Sequence, residues 1–118
     1  MKWLITGGCG FIGRSLVAAL TKQGGHSIRV FDNLSLGTRE ELAGVAAYRE
    51  AGDSLVWDVG VDLIVGDIVN LDAISRAVDG ADYIVHLAAN TGVGPSVEDP
   101  FRDCETNVIG TLNVLEAT

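Results

Sequence analysis

The sequence predicts an α/β fold, a doubly wound parallel sheet with helices on both faces. Three observations carry that expectation. The 118-residue chain opens on a short apolar run that breaks into glycines and restarts at helical spacing. β-Rich apolar runs then alternate along the chain with segments whose apolar residues recur every three or four positions. Finally, 47% of its residues are hydrophobic and the mean hydropathy is +0.30, as suits strands buried on both faces.

Each element follows in order. Leu4-Ile5-Thr6 is the first strand, and Gly7-Gly8-Cys9-Gly10 turns it into a helix whose apolar face is Leu16, Val17, Ala19 and Leu20. Gly24-Gly25 ends that helix, and Ser27-Ile28-Arg29-Val30-Phe31 is a second strand closing on Asp32. Asn33 to Thr38 is turn-rich, and Thr38 caps a helix through Leu42 and Val45 to about Glu50. Asp53 to Gly60 is ambiguous, and Val61 to Val65 is the third strand, ending at Gly66-Asp67-Ile68. Asn70 caps a helix marked by Leu71, Ile74, Ala77 and Val78, which Gly80 stops. Asp82 to Ala88 is the fourth strand, and one long helix carrying Phe101, Val108, Leu112 and Leu115 follows Gly94-Pro95. Strands separated by helices imply parallel pairing through right-handed crossovers, here about four strands in the order 3-2-1-4.

Charge and cysteine usage narrow the function. Sixteen acidic residues against eight basic ones give a formal charge of −8, which repels polyanions and leaves no basic stripe for nucleic acid. Any phosphate bound here has to be held by backbone amides and local dipoles. Cys9 and Cys104 have neither a disulfide framework nor metal-ligand company, so a reducing cytoplasm is the expected setting. The N-terminal apolar run is cut at Gly7, too early for a signal core or a membrane span. With no repeat, low-complexity run or Pro-rich linker, residues 1–118 are expected to form one domain.

The glycine turn carries the chemistry. Two registers fit: Gly8, Gly10 and Gly13 give G-x-G-x-x-G, while Gly7, Gly10 and Gly13 give G-x-x-G-x-x-G. Either makes a tight turn, lets the backbone approach a pyrophosphate, and points free amides of a helix N-terminus at it. A carboxylate closing the second strand, about 20 positions on, completes the dinucleotide-binding pattern by accepting from ribose hydroxyls. Asp32 supplies it. The same carboxylate repels a 2′-phosphate, and Asn33 rather than an arginine follows it, which favours NAD over NADP. Arg14 and Arg39 are the nearby cations that bear on this preference.

Five motifs in order extend the pattern along the chain: Thr6 to Gly13, Asp32-Asn33-Leu34-Ser35, Gly66-Asp67-Ile68, His86-Leu87-Ala88-Ala89, and Asn107 to Asn113. Their spacing resembles the extended short-chain dehydrogenase/reductases, in particular the NAD-dependent nucleotide-sugar epimerases and dehydratases such as the UDP-glucose 4-epimerases. That resemblance implies a Rossmann-like domain over residues 1–118, the N-terminal part of a longer enzyme. It assigns the pyrophosphate to the backbone of Phe11 and Ile12 beside Gly7, Gly10 and Gly13, and the adenosine ribose to Asp32, Asn33, Ser35 and Gly37. Asp67 and Ile68 border the adenine, Leu87, Ala88 and Ala89 allow close approach of the dinucleotide, and Asn107 supports the active site and cofactor. Residues Thr91 to Ser96 approach the sugar nucleotide, with a UDP-sugar favoured. His86 and Cys9 are expected as a satisfied histidine and a small filler. The resemblance further implies hydride transfer to NAD through a Tyr-x-x-x-Lys pair, and a homodimer using the last helix. Neither Tyr48 nor Tyr83 is followed four positions on by lysine, so this chain alone is expected to bind and not to catalyse.

Overall fold

A computed structural model describes residues 1–52 and 55–118. Residues 53 and 54, which open the ambiguous stretch before the third expected strand, lie outside the described residues. β1 (Lys2–Thr6) leads through the glycine turn into α1 (Phe11–Gln23), and β2 (Ser27–Asp32) follows. α2 (Arg39–Ala43), β3 (Tyr48–Glu50), β4 (Gly60–Val65), α3 (Leu71–Val78) and β5 (Tyr83–His86) come next. The chain closes with α4 (Val93–Glu98), α5 (Pro100–Cys104), a π-helical turn over Glu105–Ile109 and α6 (Gly110–Ala117).

All strand pairs are parallel, in the order β3-β4-β2-β1-β5. Four of the five strands, β4, β2, β1 and β5, stand in the expected 3-2-1-4 arrangement. Alternation along the central strands builds the two faces, because successive side chains point to opposite sides. Ile5 and Val30 go down with Val17, Leu20, Leu42 and Leu63, while Leu4 and Phe31 go up with Ile74, Ala77 and Val114. Helices therefore cover both faces, and each crossover feeds a parallel strand.

Two expectations need correction. The helix capped by Thr38 stops at Ala43 rather than near Glu50, and Tyr48–Glu50 is instead a fifth strand at the sheet edge. Gly44 sits at the helix end, and the turn after it buries Ala46 in the core. The strand is then held by Tyr48↔Val61 register, an Arg49–Asp62 pair at 2.8 Å and the Ala51 amide donating to the Leu63 carbonyl at 2.8 Å. The long final helix is also interrupted. It begins at Val93, breaks at Asp99, which caps α5 by accepting from the Arg102 amide, and widens into the π turn.

Candidate functional site

A cleft of about 750 Å³ runs across the C-terminal ends of β1, β2, β4 and β5. This is where open parallel sheets bind ligands, because loops leave there on both sides of the point where strand order reverses. Its volume lies in the range of small-molecule sites.

The floor is the turn between β1 and α1. Gly7 has φ +70°, and its amide donates to the Phe31 carbonyl at 2.8 Å, tying the turn to β2. A Cβ there would lie 2.7 Å from the Ala88 nitrogen, so the turn and the loop after β5 meet backbone to backbone. Gly13 permits an equally close approach one turn into α1, where a Cβ would stand 2.4 Å from the Gly7 carbonyl oxygen. At both Gly7 and Gly13 the obstacle is backbone, so neither position has room for a side chain. α1 has Gly10 at its N-cap, no side-chain cap and no acidic residue in its first turn. Its amide end therefore faces the cleft at Phe11 and Ile12 as a ready anion site.

Asp32 closes the second wall. It is 7% exposed, and its two oxygens accept from the Cys9 amide at 2.9 Å and the Leu34 amide at 2.8 Å. Both bonds from backbone N–H groups aim the carboxylate and leave lone pairs for the cleft. Leu34 adopts φ +59°, and the Asn33 side chain accepts from the Ser35 amide at 3.0 Å, so the whole loop is shaped by its own short side chains. Asn33 also donates to Asp67 at 3.2 Å, joining the loops after β2 and β4. Cys9 is fully buried, and its thiol is pushed up to about 12 by burial and then by the charge of Asp32. It fills space and is not a nucleophile.

The third wall is organised by a polar relay. The Thr6 hydroxyl accepts from the Leu87 and Ala88 amides at 3.0 and 3.2 Å, so its own proton goes to His86 Nδ1, 2.6 Å away. His86 must then carry its proton on Nε2, which donates to Thr111 Oγ1 at 3.1 Å, and Thr111 in turn donates to the Asn107 carbonyl at 2.7 Å. Asn107 clamps Asn90 twice: its Oδ1 accepts from the Asn90 amide at 2.7 Å, and its Nδ2 donates to the Asn90 carbonyl at 2.9 Å. The π turn fits this clamp, since such departures from α-helical geometry are rare and often lie at functional sites. Burial lowers the His86 pKa below its ordinary 6.5. The folded chain therefore binds fewer protons there than the unfolded one, and stability is lost as pH falls below about 6.5. Thermal melts between pH 7.5 and 5.5 are expected to show that loss, and His86→Gln is expected to flatten it.

Fourteen of the expected cofactor residues line the cleft: Gly7, Gly10 to Gly13, Asp32, Asn33, Ser35, Gly37, Asp67, Ile68, and Leu87 to Ala89. Ile68 is nearly buried and packs mainly in the core, offering the cleft little more than an edge. Asn107 is the exception: it does not line the cleft but stands behind Asn90, which does. Of Thr91 to Ser96, Thr91 and Pro95 line the cleft, while Glu41, Asn90, Arg102 and Thr106 were not anticipated. They come from helices and loops distant in sequence, and no local pattern announces them.

A glycine-built cradle that a Cβ would fill, an uncapped helix amino end and a buried carboxylate at the next strand end fit a dinucleotide. The chain is thus a dinucleotide-binding protein of the Rossmann-like class. Residues 3–118 match the NAD dependent epimerase/dehydratase family, and the chain belongs to it. It is 38% identical over 122 residues to CDP-paratose 2-epimerase of Salmonella typhi, covering 99% of this chain and 32% of that protein. It is 35% identical over 119 residues to dTDP-glucose 4,6-dehydratase of Mycobacterium tuberculosis, with the same two coverages. Among solved structures it superposes with a TM-score of 0.78 and 35% identity on UDP-glucose 4-epimerase of Thermus thermophilus in complex with NAD, covering 99% of this chain and 33% of that one. The chain thus spans about a third of the length of these relatives. No helix among the described residues is long and apolar enough to cross a membrane.

Proposed function

We propose that this chain is the NAD-binding portion of a nucleotide-sugar epimerase that acts on a UDP-sugar. The meeting of the free amino end of α1 and the aimed Asp32 carboxylate in one cleft is the observation that carries this reading. The amides of Phe11 and Ile12 would hold the pyrophosphate, and Asp32 would accept from the adenosine ribose hydroxyls, with Asn33, Ser35 and Gly37 beside it. Asp67 and Ile68 would border the adenine. Leu87, Ala88 and Ala89 would give the dinucleotide its close approach, with Asn107 holding the loop through Asn90. Bound NAD supplies the hydride acceptor for a sugar carbon bearing a hydroxyl. Residues 1–118 contain no Tyr-x-x-x-Lys, so we assign turnover to a longer parent and binding to this chain.

Calorimetric titration tests the reading. NAD is expected to bind more tightly than NADP, and Asp32→Ala to narrow that difference about tenfold by removing the repelling charge. The chain alone is expected to leave UDP-glucose unconverted to UDP-galactose. Equal affinities for the two dinucleotides in the unsubstituted chain would overturn the assignment. A second reading, a nucleotide-sugar dehydratase, draws on the likeness to the mycobacterial dTDP-glucose 4,6-dehydratase. It keeps the same cofactor role in the opening oxidation and changes what the oxidised sugar then undergoes, loss of water in place of inversion.

Self-association belongs to the same proposal. Phe101 is 86% exposed, Val97 73% and Leu115 63%, and among the described residues β5 pairs only with β1. Apolar area of this kind is commonly buried in an interface, and an open strand edge offers backbone for pairing. Sedimentation velocity is expected to show a concentration-dependent dimer or larger species; a monomer unchanged on dilution would remove this part.

A further inference from the structure

The cleft next to Asp32 contains a guanidinium that its own neighbours hold. Arg14, on the first turns of α1, lines the cleft together with Asp32, Ser35, Leu36 and Gly37. By position it is a natural partner for an extra phosphate on the ribose end of a dinucleotide. Its Nη1 is nonetheless engaged, donating to Glu41 Oε2 and to the Cys9 carbonyl oxygen at 3.3 Å. Glu41 also lines the cleft, and α2 fixes it. The Thr38 hydroxyl accepts from the Glu41 amide at 3.1 Å, capping α2, and donates to Glu41 Oε1 at 3.2 Å, which orients the carboxylate. Arg39, the other nearby cation, is paired with Glu50 and does not line the cleft. Arg102, the second guanidinium of the lining, comes from α5 in the segment after β5.

We propose that Glu41 is a specificity-determining residue: by holding Arg14 it withholds the nearby cation from a 2′-phosphate and sets the preference for NAD over NADP jointly with Asp32. The inference rests on the reading of Asp32 as the ribose partner. Asp32 acts by direct repulsion and Glu41 acts through another side chain. Their effects therefore separate. Releasing Arg14 offers a phosphate oxygen a charge-assisted hydrogen bond, whereas removing Asp32 only weakens a like-charge contact.

The test measures dissociation constants of NAD and NADP by calorimetry for the parent chain, Asp32→Ala, Glu41→Gln and the double variant Arg14→Ala with Glu41→Gln. Glutamine at position 41 keeps an acceptor for the Thr38 hydroxyl, and Glu41→Ala is carried alongside, with thermal melts confirming that each variant folds. In Glu41→Gln the ratio of the NADP to the NAD constant is expected to fall about tenfold, the worth of one charge-assisted bond to phosphate. The double variant is expected to lose that gain. An unchanged ratio in Glu41→Gln and Glu41→Ala would overturn the proposal, as would a gain that survives removal of Arg14. If Asp32→Ala leaves the ratio untouched, the ribose reading itself fails; if Asp32→Ala narrows it and the position-41 variants do not, the hold on Arg14 alone fails.

Discussion

Gly13→Ala is expected to abolish measurable NAD binding and to lower stability by about 2 to 3 kcal/mol, the cost of overpacking a rigid contact. The new methyl would lie 2.4 Å from the Gly7 carbonyl oxygen and 2.6 Å from the Gly8 Cα. Both are backbone atoms, so neither can swing aside as a flexible side chain would. Gly7 is itself fastened, donating to Phe31 and accepting from the Gly10 amide at 3.0 Å. Relief has to come from α1, which must back away from the turn and carry the Phe11 and Ile12 amides with it. Gly94→Ala is the control, because a Cβ there meets nothing within 4 Å. Urea denaturation and calorimetric titration read the two effects separately, and full binding by Gly13→Ala would refute the role given to this contact.

The second large effect concerns Arg29, in the middle of β2 and 1% exposed. Its Nη1 donates to the Ala77 carbonyl at 2.8 Å, and its guanidinium carbon lies 3.7 Å from the centre of the Trp57 ring. Trp57 is fixed in turn, its indole N–H donating to the Asp79 carbonyl at 2.9 Å. One guanidinium nitrogen, Nη2, has no partner among the described residues. Burial lowers the Arg29 pKa, with Asp62 and Asp79 opposing that shift. The charge is thus expensive here and the volume is valuable. Arg29→Ala opens a cavity, strands the Ala77 carbonyl and undercuts Trp57, for an expected loss of about 3 to 4 kcal/mol. Arg29→Met keeps the volume and removes the desolvated charge, so its cost is expected to stay under about 1.5 kcal/mol. Denaturant midpoints of the two variants decide the matter: equal losses would mean that the charge, not the packing, is what β2 needs.

A good part of this molecule was legible in its residues, for identifiable reasons. The capping roles of Thr38 and Asn70 were readable because each is a local bond, closed three residues away at Glu41 and Ala73. Asp32 was readable because a strand run ends on it, and the order of four strands because parallel strands with helical crossovers admit few arrangements. The edge strand at Tyr48–Glu50 was not. Three half-polar residues carry no period of their own, and only pairing with β4 makes them a strand. Asn107 was expected to support the site, yet its position behind Asn90 goes with the π turn, which no spacing in the sequence marks.

By itself, then, the sequence determined the strand, glycine turn and helix, the carboxylate that follows, and the family they belong to. These rest on φ freedom, backbone caps and side-chain period, which act within a few residues of their cause. Tertiary structure alone decided that Arg14 meets Glu41 across 27 residues, that Arg29 reaches Ala77 across 48, and that Asn107 clamps Asn90 across 17. Such contacts form because burial brings distant elements together and then forces their polar groups to find partners. Burial belongs to the whole chain at once, so no short stretch of it records the outcome.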